Sequence, residues 1–259
     1  MADSVPTPMT VTMSGTGEDR VVGSCPYRSD NVLDRLTSQA TLDVHYQRLV
    51  AQEQRLLARR VPLEHGAVLS VGCGADPGRH LFPAPSFRLT AVDAEPAAIR
   101  AVVEAGQADE AFVGHAGRLE LPESSFDVVL YRLVLHHIAY QGPLRPCFAE
   151  AARLLRPGGA MIAIEPGLWH PIGVGLSLAN RLDVATAIHG TPDDIPLSPR
   201  RLTTEAAAAG LVPELHALTY SWRRLPASLQ RLVQRLDVIG SHPRAALFGH
   251  TLALIARRN

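Results

Sequence analysis

The feature that most constrains this chain is a series of short, mostly apolar runs separated by segments of helical spacing. Ala67–Val71 reads AVLSV, Phe126–Tyr131 reads FDVVLY and Ala160–Glu165 reads AMIAIE; Phe87–Val92 and Ala111–Gly114 are two further runs. Between them Glu95–Glu104 and Cys147–Leu155 have helical character, the second stopped by Arg156-Pro157-Gly158-Gly159. Strands without a polar face need cover on both sides. This pattern therefore predicts an α/β fold with a parallel sheet between helical layers. Asp76-Pro77, an N-cap residue followed by proline, predicts one more helix directly after the first strand.

Outside this alternation the chain divides as follows. Residues 1–24 are rich in Ser, Thr, Gly and Pro and are expected to be a disordered tail. Residues 25–62 carry apolar positions at helical spacing, which predicts an N-terminal helical segment. Residues 63–259 form the main domain, interrupted at about 166–200 by glycines and prolines around a helical stretch, Leu176–Ile188. That interruption is expected to be a cap insertion after the fifth strand. Leu202–Ala209 and Leu225–Ile239 are expected to be helices, and Leu211–Tyr220 and Leu247–Ala256 strands.

Composition narrows the function classes. The 25 basic residues balance the 25 acidic ones, which argues against broad phosphate neutralisation and so against a nucleic-acid partner. No apolar run reaches about 18 residues, so no membrane span is expected. No secretory signal is evident, and Cys25, Cys73 and Cys147 lie far apart; the expected compartment is the cytoplasm. The chain contains no lysine, which excludes a Schiff-base or phosphate-loop lysine.

The strongest local signal is VLSVGCGADPG, Val68–Gly78, where a strand runs into Gly72-Cys73-Gly74. Glycines there let the backbone turn sharply and let a ligand approach without Cβ clashes. The third glycine of a dinucleotide fingerprint is missing, since position 77 is Pro77. Asp93 ends the second strand, where a carboxylate can accept from both hydroxyls of a ribose.

VLSVGCGAD, LTAVDAEPAAI, LPESSFDVVLYRLVLHHI and EAARLLRPGGAMIAIEP, in this order over about residues 67–166, resemble class I S-adenosylmethionine-dependent methyltransferases of the small-molecule type related to quinone-biosynthesis enzymes. AAAAGLVPELHAL and HTLALIARR resemble that family's last two strands. The resemblance implies a Rossmann-like, seven-stranded, mostly parallel sheet with a reversed final hairpin, and S-adenosyl-L-methionine as cofactor. It implies that Gly72, Cys73 and Gly74 pass under the methionine part, that Asp93 holds the ribose with Ala94 beside the adenine, and that Ala116 and Gly117 flank the adenine. Tyr131 and Arg132 would lie near the methionine moiety. Ser70 stands where the family usually has an acid, and His115 where it usually has Asp.

Methyl transfer from a sulfonium is an in-line displacement that positioning alone can accelerate; a hydroxyl acceptor gains from a general base. The candidate bases are His136 and His137 in the LHHI segment, with Glu165 at the end of the fifth strand as orienting acid. By resemblance to natural-product O-methyltransferases, His136 is the preferred base. Tyr46 is a candidate to close over the cofactor, and Trp169, His170 and His189 to shape the acceptor pocket. No metal site is expected. The expected activity is O-methylation of a small molecule in natural product biosynthesis. Two alternatives remain: a cofactor-bound cyclase or isomerase that transfers no methyl group, and a catalytically degenerate accessory protein. The amphipathic helices could support a homodimer.

Overall fold

The computed structural model describes residues 37–182 and 195–259. The expected tail at 1–24, Cys25 and His189 lie outside the described residues.

The chain enters on helix α1, Gln39–Arg60, where the Ser38 hydroxyl accepts from the Thr41 N–H at 3.3 Å. Strand β1, Gly66–Val71, leads to β2, Phe87–Asp93, helix α2, Pro96–Glu104, and β3, Glu110–Val113. Strand β4, Phe126–Arg132, is followed by α3, Leu135–Gln141, α4, Arg145–Leu154, and β5, Leu155–Pro166. Then come α5, Pro171–Arg181, α6, Pro199–Ala208, β6, Leu211–Thr219, and α7, Ala227–Val233, which tightens into a 3-10 turn at Gln234–Ile239. A short α8, Pro243–Ala246, precedes β7, Thr251–Arg258.

The seven strands make one sheet in the order β3-β2-β1-β4-β5-β7-β6. The first five are parallel, and β7 runs antiparallel to both β5 and β6. Alternation along the strands builds two cores. Leu69, Val71, Val129, Tyr131, Met161 and Ala163 meet Phe148 and Leu154 of α4 and Leu202 of α6. Val68, Leu89, Val128, Leu130, Ile162 and Ile164 meet Leu49 and Leu57 of α1. Burying each of those two leucines contributes about 2 kcal/mol, which fastens α1 to the sheet.

The register matters for the site. Val71 pairs with Val92 of β2 and with Tyr131 of β4, so Gly72, Asp93 and Arg132 leave the sheet side by side. Chain order reverses at β1, and open α/β sheets bind ligands at such a reversal.

Three expectations need correction. No helix follows the glycine turn: residues 75–86 are turns and loop. Asp76 does cap, but its Oδ1 accepts from the Gly78 N–H at 3.0 Å in a local turn. Gly78 takes φ +81°, outside the right-handed helical region, so the ladder is broken there. The last strand begins at Thr251 rather than Leu247, because residues 247–250 still complete the preceding turn. The Arg156–Gly159 segment ends α4 and also bulges out of β5, where the register jumps between Phe126–Leu155 and Val128–Ala160.

Candidate active site

The glycine turn begins where β1 stops. Gly72 and Gly74 take φ +63° and +53°, and the Gly72 N–H donates to Val92 O at 2.8 Å. Asp93 braces the turn: its Oδ2 accepts from Gly74 N–H at 2.8 Å and its Oδ1 from Glu95 N–H at 2.9 Å. Each oxygen keeps a second lone pair. Beside it Ala94 and His115 are exposed, and Ala116 and Gly117 half-buried, along an open edge.

The second half of the site is the start of α3. Leu133 takes φ +56°, turning the chain so that Val134 lies against Gly72; a Cβ on Gly72 would fall 2.2 Å from Val134 Cγ2. From the neighbouring strand end, the fully buried Glu165 reaches under this turn. Its Oε1 accepts from the Val134 and Leu135 N–H groups at 3.0 and 2.8 Å, and its Oε2 from His136 N–H at 3.3 Å. Oε2 also lies 2.6 Å from His136 Nδ1. With the carboxylate accepting, Nδ1 carries the hydrogen and Nε2 of the neutral ring bears the lone pair. His136 is 4% exposed, and the ring of half-buried His137 lies 4.0 Å from its own, centroid to centroid.

Four residues expected at the cofactor do not present side chains there. Tyr131 is buried in the opposite core, where its hydroxyl donates to Cys147 O at 3.1 Å and burial pushes it well above its usual pKa. Strand alternation turns it toward α4, so only its backbone borders the site. The Cys73 thiol is buried against Ala91 and Ile99, and burial, with Asp93 nearby, pushes it up to about 12. Ser70 is buried on the sheet face toward α1. Tyr46 is half-buried and its hydroxyl accepts from Arg223 at 3.4 Å, on the side of β6 rather than of the glycines.

Around the expected Arg132, Trp169 and His170, the same sheet edge gathers Glu53, Trp222, Arg223 and His250, which sequence reasoning missed. Arg132 reaches Glu53 of α1 at 3.2 Å and Asp76 at 2.8 Å. A small open cleft lies beyond Glu165, lined by Pro166, Ile172, Leu176, Trp222, Arg223 and His250 among others. His170 caps α5, its Nδ1 accepting from Ile172 N–H and its Nε2 donating to Tyr220 O at 3.1 Å. The Trp169 ring takes the Arg200 guanidinium at 5.2 Å. Burial, then the charges of His170, His45 and Arg223, keeps His250 well below its usual pKa. A signal for Glu53 existed: His45 and Glu53 interrupt the otherwise apolar stripe Leu42, Leu49, Leu57. Among the described residues no three His, Cys, Asp or Glu side chains group as metal ligands, and no helix is long and apolar enough to cross a membrane.

Residues 69–163 match a family described as "Methyltransferase domain". Over this stretch the chain is similar to a methyltransferase domain. Solved structures share this fold at low identity. A SAM-dependent methyltransferase from Thermotoga maritima, described as a possible histamine N-methyltransferase, is 14% identical with a TM-score of 0.58, over 81% of this chain and 89% of that one. Phosphoethanolamine N-methyltransferase 2 of Haemonchus contortus, in complex with S-adenosyl-L-methionine, is 17% identical with a TM-score of 0.58, over 80% and 52%. A geranyl diphosphate methyltransferase in complex with SAM is 18% identical with a TM-score of 0.54, over 81% and 85%. No curated protein matches the sequence.

Proposed function

We propose that this enzyme transfers a methyl group from S-adenosylmethionine to an oxygen of a small molecule of secondary metabolism, with His136 as general base. The observation that carries the base assignment is the 2.6 Å contact between His136 Nδ1 and Glu165, held at the helix start that packs on Gly72.

The residues present fit the cofactor. Asp93 keeps lone pairs for two ribose hydroxyls, and the open edge past Ala94 toward His115, Ala116 and Gly117 suits a flat base. Gly72, Cys73 and Gly74 serve through their backbone, and Arg132 through its charge. When bound, S-adenosylmethionine supplies an electrophilic methyl group. The chain's own work is then to place the acceptor and take its proton. Glu165 fixes the tautomer and orientation of His136, so Nε2 is the nitrogen that accepts the acceptor's hydroxyl proton. The ring of His137 backs that of His136. The cleft past Pro166, under α5 and Trp222, is the place for the acceptor's body, with Ile172, Leu176 and Pro196 of the expected cap on its wall. This reading carries with it a cytoplasmic enzyme that works on a small molecule and pairs through its amphipathic helices as a homodimer.

The test is calorimetric titration with S-adenosylmethionine, followed by incubation with phenolic and other hydroxylated acceptors while S-adenosylhomocysteine release is followed. Binding with turnover that falls in His136→Ala supports the assignment. Binding without turnover on any acceptor favours a non-methylating role, and no binding favours an accessory protein.

A further inference from the structure

The cleft beyond Glu165 has walls of two kinds. Ile172 and Leu176 of α5, with Pro196, make one side apolar. The other side is the loop after β6, Trp222-Arg223-Arg224, with His250 at the entry to β7. No acidic side chain stands among the described residues that line the cleft. Glu165, one residue before Pro166, is committed to the first N–H groups of α3 and to His136.

The loop that carries the two guanidiniums is held in place. The side-chain amide of Gln230, 2% exposed, donates to Arg223 O at 3.0 Å and to Leu225 O at 2.9 Å. Leu225 N–H donates to Trp222 O at 3.1 Å and closes a turn. Arg224 lies over the Trp222 ring, 5.7 Å from its centroid, and Arg223 Nη1 donates to the Tyr46 hydroxyl at 3.4 Å. His250 is fixed through its backbone: its N–H donates to Thr219 O and its carbonyl accepts from Gly167 N–H, both at 2.8 Å. Burial first, then the positive charge of Arg223 and of neighbouring imidazoles, keeps the His250 ring uncharged. Burial and Arg223 likewise lower His45, to about 4. The positive charge beside the cleft therefore sits on guanidiniums, while the imidazoles next to them stay neutral.

We propose that the methyl acceptor is a hydroxylated carboxylic acid, its carboxylate on Arg223 and Arg224 and its apolar body between Trp222 and the α5 wall of Ile172 and Leu176. This rests on the reading of the cleft as the acceptor's place. A guanidinium fork matches the two oxygens of a carboxylate, and an apolar body that excludes water strengthens the pairing. The cleft opens one residue past the Glu165 that holds His136. A carboxylate anchored on the loop thus fixes one end of a small molecule and decides which of its hydroxyls is presented to His136. Arg223 and Arg224 set specificity, and His136 takes the proton.

The test compares acids with their own methyl esters. The probes are 3,4-dihydroxybenzoate, 2-hydroxybenzoate and caffeate, each paired with its ester and titrated into the full chain with and without S-adenosylhomocysteine. The acids should bind about tenfold or more tightly than the esters. Arg223→Gln and Arg224→Gln should each cut that preference by about threefold or more, with S-adenosylhomocysteine affinity within about twofold of the unaltered protein. Should one variant fail to fold, the other decides. Acids bound no better than esters, a preference unchanged in the arginine variants, or no binding by any pair overturns the assignment. The proposed reaction is judged separately, by release of S-adenosylhomocysteine from S-adenosylmethionine. Acids that bind through the arginines without release overturn methyl transfer and leave the anion site standing. Release with neutral phenols and no gain with acids does the reverse.

Discussion

Glu165 holds His136 Nδ1 at 2.6 Å while its two oxygens also collect the N–H groups of Val134, Leu135 and His136. One buried carboxylate thus starts a helix and orients a ring. Glu165→Gln keeps one acceptor oxygen but turns an amide NH2 toward donors. Unfolding by denaturant should show a loss of about 2–4 kcal/mol. Methyl transfer should fall as well, since the ring loses its orienting partner.

Replacing His136 separates chemistry from binding. His136→Ala should lower kcat by about 10²–10⁴-fold with S-adenosylhomocysteine affinity within about twofold of the unaltered enzyme. His137→Ala should have a small effect on kcat. An unchanged kcat in His136→Ala would remove the base and leave positioning as the means of catalysis.

Asp93 is the anchor expected for the ribose. Asp93→Ala removes both the acceptor oxygens and the brace on Gly74 N–H. Titration should show S-adenosylhomocysteine weakened by about tenfold or more. The same loss should extend to 5′-methylthioadenosine, which keeps the ribose and lacks the amino-acid end.

Gly72 leaves no space for a side chain. Its φ is +63° and Val134 Cγ2 lies 2.2 Å from where a Cβ would stand. Gly72→Ala should destabilise by roughly 2–4 kcal/mol, from backbone strain and overpacking. Adding Val134→Ala should recover the overpacking part and leave the backbone part, which a pair of thermal or denaturant melts resolves.

Stability should peak near pH 6.5. Burial, with Arg223 nearby, lowers His45 to about 4. Below 6.5 the unfolded chain takes up a proton that the folded one refuses, so stability falls as pH drops from 6.5 toward 4. His45 alone accounts for about 3 kcal/mol of that fall. Burial would lower His80, but Asp76 and Glu53 raise it to about 9. Its contribution is complete below 6.5 and is lost as pH rises through 9. Denaturant melts across pH should show both limbs. His45→Gln should flatten the acid limb and His80→Gln the alkaline one.

Much of the site was legible because it follows from backbone rules. A strand that ends in Gly-Cys-Gly must turn, and a carboxylate at the next strand's end must sit beside that turn when the two strands pair in parallel. His136 and Glu165 were legible for the same reason: both follow strand ends that share an edge. The helix expected after Asp76-Pro77 gave way to a local turn, which Asp76 closes on the Gly78 N–H and which Gly78 completes at φ +81°. Tyr131 failed differently. Its position at the strand end was correct, but the face it takes depends on which core its neighbours fill.

What the sequence determined by itself was the order of strands and helices, the two-sided cover of the sheet and the place of the glycine turn. These depend on apolar periodicity and on the φ freedom of single residues. Only the tertiary structure decided which charges meet. Glu53 and Arg132 are 79 residues apart in the chain and 3.2 Å apart in the fold. Nothing local relates them, because the contact depends on how α1 lies across a sheet whose register is set by other residues.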